Sequence, residues 1–361
     1  MSGVAVLGAS TLFLSACAAP ASEAPESSES SAPAPAAEDM TLKIGTALPQ
    51  TGGLAFLGPP EEAGVGYATK LINEATADTG LTVEVTYGDS GDTDNKAYET
   101  EIPRLLGEDV SAIIGAASSS TSLQFIDQVV GAGVIQFSPA NTSDAFTTYD
   151  DDGLYWRTAP SDVLQGAVLG NLIAEDGVQS LGMIVQNDSY GTGLAKYVTE
   201  AFEEGGGEVV AQPTYNVGDT SFDSQISEVL AADPDAIVLI TFDEVFTILP
   251  SLAGQFPADK LYFVDGNLKN FGDEIPAGSI TGSKGTLPGL TIDTIADFTD
   301  ALQEYATTEG NGELTDFSYA AESFDAVNLL ALAALAAGSI DGVEIAGKLQ
   351  EVSGGSGDGE K

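Results

Sequence analysis

From residue 42 onward, short apolar and β-branched runs alternate with longer stretches whose apolar residues recur at helical spacing. Residues 42–48 predict a first strand and 61–76 a helix. Residues 81–87 alternate as a strand, with Val83, Val85 and Tyr87 on one face. A helix over 96–106, a buried strand at 112–115, a helix over 122–131 and a strand at 134–137 follow. After Arg157 the alternation restarts: helices over 163–175, 191–204, 221–231 and 244–254, and strands over 181–185, 208–215, 236–241 and 260–264. Strand–helix alternation at this spacing predicts parallel sheets flanked by helices, and the break near 158–161 predicts two α/β lobes. In open parallel sheets ligands bind beyond the carboxyl ends of the strands. Those positions hold Gly52 and Gly53, then 118–121 (SSST), 138–142 (SPANT), 187–190 (NDSY), 241–243 (TFD) and 265–267 (DGN). Hydroxyls, amides, small residues and a few carboxylates suit hydrogen bonding of a small polar molecule better than covalent chemistry.

Composition narrows the chemistry further. The 361 residues include 55 acids, 11 bases, no histidine and one cysteine, for a formal charge of −44. Without histidine there is no Ser-His-Asp triad, no Cys-His pair and no His-ligated zinc. One cysteine excludes an intrachain disulfide and a thiolate cluster. The charge argues against nucleic acid, whose affinity comes mainly from Lys and Arg neutralising phosphates. A hydrophobic content of 43% is that of a folding chain rather than an acidic tail. The first forty residues hold five of the acids and none of the bases, so the remainder still carries −39. The acidity therefore belongs to the surface of the folded part, where salt screens its self-repulsion.

Residues 4–16 are apolar or small and uncharged, the length of a signal-peptide core and too short to span a bilayer. They end in Leu14-Ser15-Ala16-Cys17, which resembles the lipobox of bacterial lipoproteins. The resemblance implies a signal peptide over 1–16, lipidation of Cys17 and an extracytoplasmic protein anchored to the outer face of the cell membrane. Residues 1–3 lack the positive charge of a leader, which places its expected start upstream. In 18–40, 21 of 23 positions are Ala, Ser, Pro or Glu, the composition of a flexible tether. The folded part is expected to begin near Thr41.

Four other patterns carry no function. Residues 342–348 (GVEIAGK) match a phosphate loop, but Leu349 stands where Ser or Thr should hold Mg²⁺. After Gly191 and Gly193, Lys196 replaces the third glycine of a dinucleotide fingerprint. Asp89, Asp92 and Asp94 lack the spacing of a calcium loop. Residues 329–337 are too short to cross a membrane and predict a buried helix.

In order and spacing the loops resemble the substrate-binding lipoproteins of ABC transporters, in the leucine/isoleucine/valine-binding branch. The resemblance rests on 43–45 (KIG) with 51–53 (TGG), 113–115 (IIG) with 118–121, 137–142 (FSPANT) and 156–162 (WRTAPSD). It continues through 189–193 (SYGTG), 215–222 (YNVGDTSF) and 325–327 (DAV). It implies two Rossmann-like lobes with parallel sheets and a multi-stranded hinge, the type I periplasmic binding fold. The first lobe would comprise 41–159 plus 288–345, and the second 160–287 plus 346–361. A further helix and closing strands are expected beyond Lys361. The implied function is capture of an amino acid in the cleft and delivery to an ABC permease, by a monomer without cofactor or metal. An α-carboxylate needs N–H and hydroxyl donors, which Ser118, Ser119 and Thr121 offer at a predicted helix start. The resemblance places the α-ammonium on the Ala140 carbonyl, Thr142 and Asp265, and makes Tyr190 the second-lobe aromatic over the ligand. Arg157 and Asp162 are expected to brace the lobe crossover. Leu57 stands where an aromatic is usual at the pocket mouth, and Phe242-Asp243-Glu244 replaces a glycine and aromatic pattern. Asp243 or Glu244 near the pocket would favour an amide, urea or polar amino acid. A ligand sensor on the same scaffold, or an α/β enzyme working with carboxylates or serines alone, are the alternatives from other classes.

Overall fold

The computed structural model describes residues 39–310 and 312–354. Cys17, the signal peptide and nearly all of the tether lie outside the described residues. Strand β1 (Met40–Ala47) begins before the predicted strand, because Met40 and Thr41 already pair with Leu81 and Thr82. Then come α1 (Gly58–Ala75), β2 (Leu81–Thr86), α2 (Tyr98–Leu106), β3 (Ala112–Gly115), α3 (Ser119–Gly131), β4 (Ile135–Ser138) and β5 (Tyr155–Arg157). These strands form one parallel sheet in the order β2-β1-β3-β4-β5.

The second lobe contains α4 (Asp162–Glu175), β6 (Ser180–Gln186), α5 (Ser189–Glu204), β7 (Glu208–Ala211) and β8 (Thr214–Tyr215). It continues with α6 (Asp223–Ala231), β9 (Ala236–Ile240), α7 (Val245–Leu252), β10 (Leu261–Phe263) and β11 (Lys284–Gly285). Its parallel sheet runs β11-β10-β9-β6-β7, with β8 also on β6. The single strand expected over 208–215 is split because Pro213 cannot donate to the ladder; its carbonyl accepts from Val185 N instead (3.1 Å). All five residues of β9 are buried, as parallel strands covered on both faces require.

The chain returns to the first lobe with α8 (Ala296–Glu309), α9 (Ala320–Ala337) and α10 (Gly342–Val352). The apolar run 329–337 lies inside α9, which packs on α1 and α10. Gly64 permits that approach, since a Cβ there would lie 2.3 Å from the Ala320 carbonyl oxygen. The phosphate-loop look-alike is the start of α10, whose N-terminal N–H groups of Val343 and Glu344 are capped by Asp341. Ile345, Ala346 and Leu349 join Leu42, Ile44, Ile114 and Phe137 in one core. Residues 346–352 therefore pack with the first lobe, not the second as expected: α10 is amphipathic, and the apolar surface within its reach is α9 and the edge of β4. Among the described residues the chain crosses between lobes twice, after β5 and after β11. At the first crossing Thr158 Oγ1 donates to the Glu322 carbonyl (3.0 Å). Arg157 donates to the carbonyls of Asn141 (3.2 Å) and Ser143 (2.8 Å), and Asp162 N to that of Thr142 (2.7 Å).

Candidate functional site

The carboxyl ends of both sheets face one another across a narrow, nearly closed cavity. Its first-lobe wall grows out of β3 and β4. Ser118 caps α3, accepting from Thr121 N (3.4 Å) while also lining the cavity. Ser119 Oγ accepts from Thr142 N (3.3 Å) and Ser143 N (3.2 Å), which ties the loop after β4 to the start of α3. Ser138 Oγ accepts from Ala140 N and Asn141 N and donates to the Ala116 carbonyl, and Asn141 Nδ2 donates to the carbonyls of Ala116 and Ala117. Ala140 and Thr142 are thereby presented to the cavity by a loop with little freedom to move.

The second-lobe wall is built on Asp265, Tyr190 and Phe242. Asp265 is 4% exposed, and its Oδ1 accepts from Tyr190 OH (2.7 Å) and Gln165 Nε2 (3.0 Å). Its Oδ2 accepts from Tyr319 OH (2.7 Å), which reaches over from the first lobe. Burial raises the Asp265 carboxyl above its ordinary range, and these donors oppose the shift. A carboxylate offers about four lone-pair sites, so one acceptor position remains for a ligand. Tyr319 holds a left-handed backbone (φ 60°), uncommon for a large side chain and costing about 1–3 kcal/mol, where the chain enters α9. The Tyr190 and Phe242 rings stack at 5.3 Å. Gly266 makes room for Phe242, since a Cβ there would meet the ring at 2.8 Å.

Eight of the nine ligand residues expected from sequence line this one cavity: Leu57, Ser118, Ser119, Ala140, Thr142, Tyr190, Phe242 and Asp265. Thr121 does not. It lies in the first turn of α3 with its hydroxyl fully buried and without a partner, so the helix turns it away from the ligand space. Leu54, Ala117, Gly266 and Tyr319 complete the lining. Ala117 and Gly266 adjoin predicted positions and could have been read from them. Tyr319 had no signal, because it lies outside any strand end and arrives through the chain's return to the first lobe.

Asp243 and Glu244 do not line the cavity either. Asp243 pairs with Lys269, and Glu244 accepts from Phe242 N (2.9 Å) and Tyr215 OH (3.2 Å). That removes the physical ground for expecting an amide or urea ligand. The acidic loop is likewise occupied: Asp89 accepts from the N–H groups of Gln50, Thr51 and Gly91, and Asp92 from those of Gly53, Asp94 and Asn95. These carboxylates fold the segment that carries Gly53 and Leu54 to the cavity. A larger apolar groove between α4 and residues 285–292 has only Gln165 and the threonines Thr286 and Thr291 as polar side chains, and offers no charged group to orient a ligand.

Residues 41–358 match the family described as periplasmic binding protein. The chain belongs to that family. This binding protein is 28% identical over 252 residues to the leucine-, isoleucine-, valine-, threonine- and alanine-binding protein of Pseudomonas aeruginosa, covering 69% of this chain and 66% of that one. It is 25% identical over 312 residues to a Leu/Ile/Val-binding protein homologue of Brucella suis, covering 85% and 82%. Among solved structures it resembles the branched-chain amino acid transporter substrate-binding protein LivJ of Streptococcus pneumoniae in complex with isoleucine, with a TM-score of 0.71, 26% identity and 86% and 88% coverage. The leucine-binding protein LivK of Thermotoga maritima shares the fold, with a TM-score of 0.72, 23% identity and 86% and 87% coverage. The two-lobed α/β architecture is thus the type I periplasmic binding fold, in a family of solute binders rather than enzymes.

Proposed function

We propose that this protein captures an amino acid with an aliphatic side chain outside the cytoplasm and delivers it to an ABC permease. The observation that carries the reading is the composition of one cavity. N–H and hydroxyl donors at the start of α3 face a buried carboxylate on the other lobe, and the remaining walls are apolar. Ser118 and Ser119 take the α-carboxylate, where the helix N-terminus favours negative charge. The Ala140 carbonyl, Thr142 and the free acceptor position of Asp265 take the α-ammonium. Leu54, Leu57, Phe242 and Tyr319 surround the side chain. Contacts to both lobes exist only when the lobes are closed, so the ligand shifts the population toward the form a permease would recognise. No bond is broken, and the site needs neither acid–base groups nor a cofactor. In this reading Cys17 carries the lipid, 18–40 is the tether and the protein works as a monomer.

The relatives named for binding branched-chain amino acids support the substrate class. A thermal-shift screen over amino acids, amides, urea and small carboxylates, followed by calorimetry on the best hit, tests it. Stabilisation by Leu, Ile, Val, Thr or Ala is expected; a screen in which no zwitterion stabilises the protein would sink the amino-acid reading. Radiolabelled palmitate should enter the wild type and not Cys17→Ser.

A further inference from the structure

Lys269 is an unusual cation in this molecule. Among the ion pairs of the described residues the other four bases, Lys70, Arg104, Lys284 and Lys348, have side chains 38–49% exposed, whereas Lys269 is 7% exposed. It pairs with Asp243, and its ammonium lies 4.3 Å from the Phe56 ring centre and 4.4 Å from that of Phe246. Phe246 belongs to α7 of the second lobe, but Phe56 belongs to the first, in the segment leading into α1. Beside it the backbone closes the same gap: Asp243 N donates to the Gly53 carbonyl (3.2 Å), and Gly53 N donates to Asp92 Oδ2 (3.0 Å). None of Lys269, Asp243 and Phe56 lines the ligand cavity.

We propose that Lys269, seated between Phe56 and Phe246 and held by Asp243, is an interlobe latch that sets ligand affinity without touching the ligand. Taking an ammonium out of water is costly unless its partners are all in place. Asp243 and Phe246 move with Lys269 on the second lobe, so they are present in either state. Phe56 and the Gly53 carbonyl arrive only on closure. Ring contact with a desolvated ammonium is worth roughly 0.5–2 kcal/mol, and every 1.4 kcal/mol is tenfold in an equilibrium. The latch thus biases the open–closed equilibrium by about 2- to 30-fold, and ligand affinity follows. It also accounts for the departure at 242–244: Asp243 anchors the latch, rather than adding an acceptor for the ligand.

The ligand arm of the test rests on the proposed amino-acid site; the conformational arm does not. Spin labels at Thr100→Cys and Glu200→Cys, both exposed and on different lobes, in a Cys17→Ser background report the interlobe distance by pulsed electron resonance. Lys269→Met and Phe56→Leu are each expected to shift the ligand-free distances outward. Each should weaken isoleucine binding by about 2- to 30-fold, chiefly through faster dissociation. Combined, they should cost no more than the worse single change, and Lys269→Arg should restore part of the loss. Unchanged distances in both single variants, or strictly additive losses, would overturn the latch. If Lys269→Met fails to fold, Phe56→Leu decides alone, because Phe56 is only half-buried. If isoleucine does not bind the wild type, the substrate reading fails, while the distances still decide the latch.

Discussion

The two walls of the cleft satisfy their polar atoms in different ways. On the first lobe, Ser119, Ser138 and Asn141 bond to one another's loops within residues 116–143, and the ionisable groups that join them, Tyr155 and Arg157, come from β5 of the same lobe. On the second lobe the central group is a buried carboxylate, and one of its three side-chain donors, Tyr319, comes from the opposite lobe. The first wall's bonds hold whether or not the lobes meet, and only the flanking Ser120 and Ser143 hydroxyls reach across, to Asp188 (2.7 Å) and the Ser189 carbonyl (3.1 Å). The second reaches its full set of bonds only in the closed form. Pre-organisation therefore sits mainly on one side, while the buried carboxylate on the other depends on closure for one of its donors, which links capture to closure.

Breaking the second wall should have the largest effect. Asp265→Ala leaves Tyr190, Tyr319 and Gln165 facing each other without an acceptor and removes the ammonium partner. Isoleucine affinity by calorimetry should fall about 30- to 4000-fold, the range for truncating a buried charge partner. Affinity that survives the change would move the ammonium site elsewhere. Tyr319→Phe deletes only the cross-lobe donor. A hydrogen bond to a charged group is worth about 1.5–3 kcal/mol, so affinity should drop by about 10- to 100-fold with thermal stability nearly unchanged. The first wall should answer differently. Ser119→Ala leaves the N–H groups of Thr142 and Ser143 buried without their acceptor and should lower unfolding stability by about 1–3 kcal/mol in urea titrations. A stability within about 0.3 kcal/mol of wild type would show that the first wall is not held together by that hydroxyl.

The smallest effect, and one confined to a pH window, is expected beneath the cleft. Glu61 is fully buried in α1 with neither carboxyl oxygen partnered. Burial first, then Glu62 and Glu322, push its carboxyl well above the usual range. The folded state therefore holds a proton that the unfolded chain releases near the ordinary glutamate value of about 4.3. The associated stability is complete below that value and is lost as pH rises through the raised folded one. Glu61→Gln removes the titration, so its melting temperature should exceed that of wild type increasingly as pH rises above about 5, with no such gain near pH 4. A difference constant across pH would mean that the native carboxyl titrates as it does in the unfolded chain.

Much of this site was legible in the chain. In a parallel α/β sheet the residues after each strand must gather at one end, so listing them already named Ser118, Ser119, Ala140, Thr142, Tyr190, Phe242 and Asp265. Boundaries were harder where a local feature intervened, as at Pro213. Thr121 failed because a helix has a second, inward face that spacing to the strand end does not distinguish from the first. Asp243 and Glu244 failed for another reason. A carboxylate beside a pocket can turn toward the ligand or toward a neighbour, and Lys269, Tyr215 and the Phe242 N–H were the better neighbours.

What the sequence determined by itself was whatever depends on local pattern. That includes the alternation of strands and helices, the two runs that become two lobes, the inventory of donors and acceptors at the strand ends, and the lack of histidine for acid–base work. What only the tertiary structure decided was every relation between distant segments. It brought Tyr319 to Asp265 across 54 positions and Lys269 to Phe56, and it placed α10 in the first lobe's core. Local pattern follows from backbone geometry and burial of one face, which a few neighbours settle. Long-range pairings depend on which of many apolar and polar partners meet when the lobes pack, and no window of sequence contains both members.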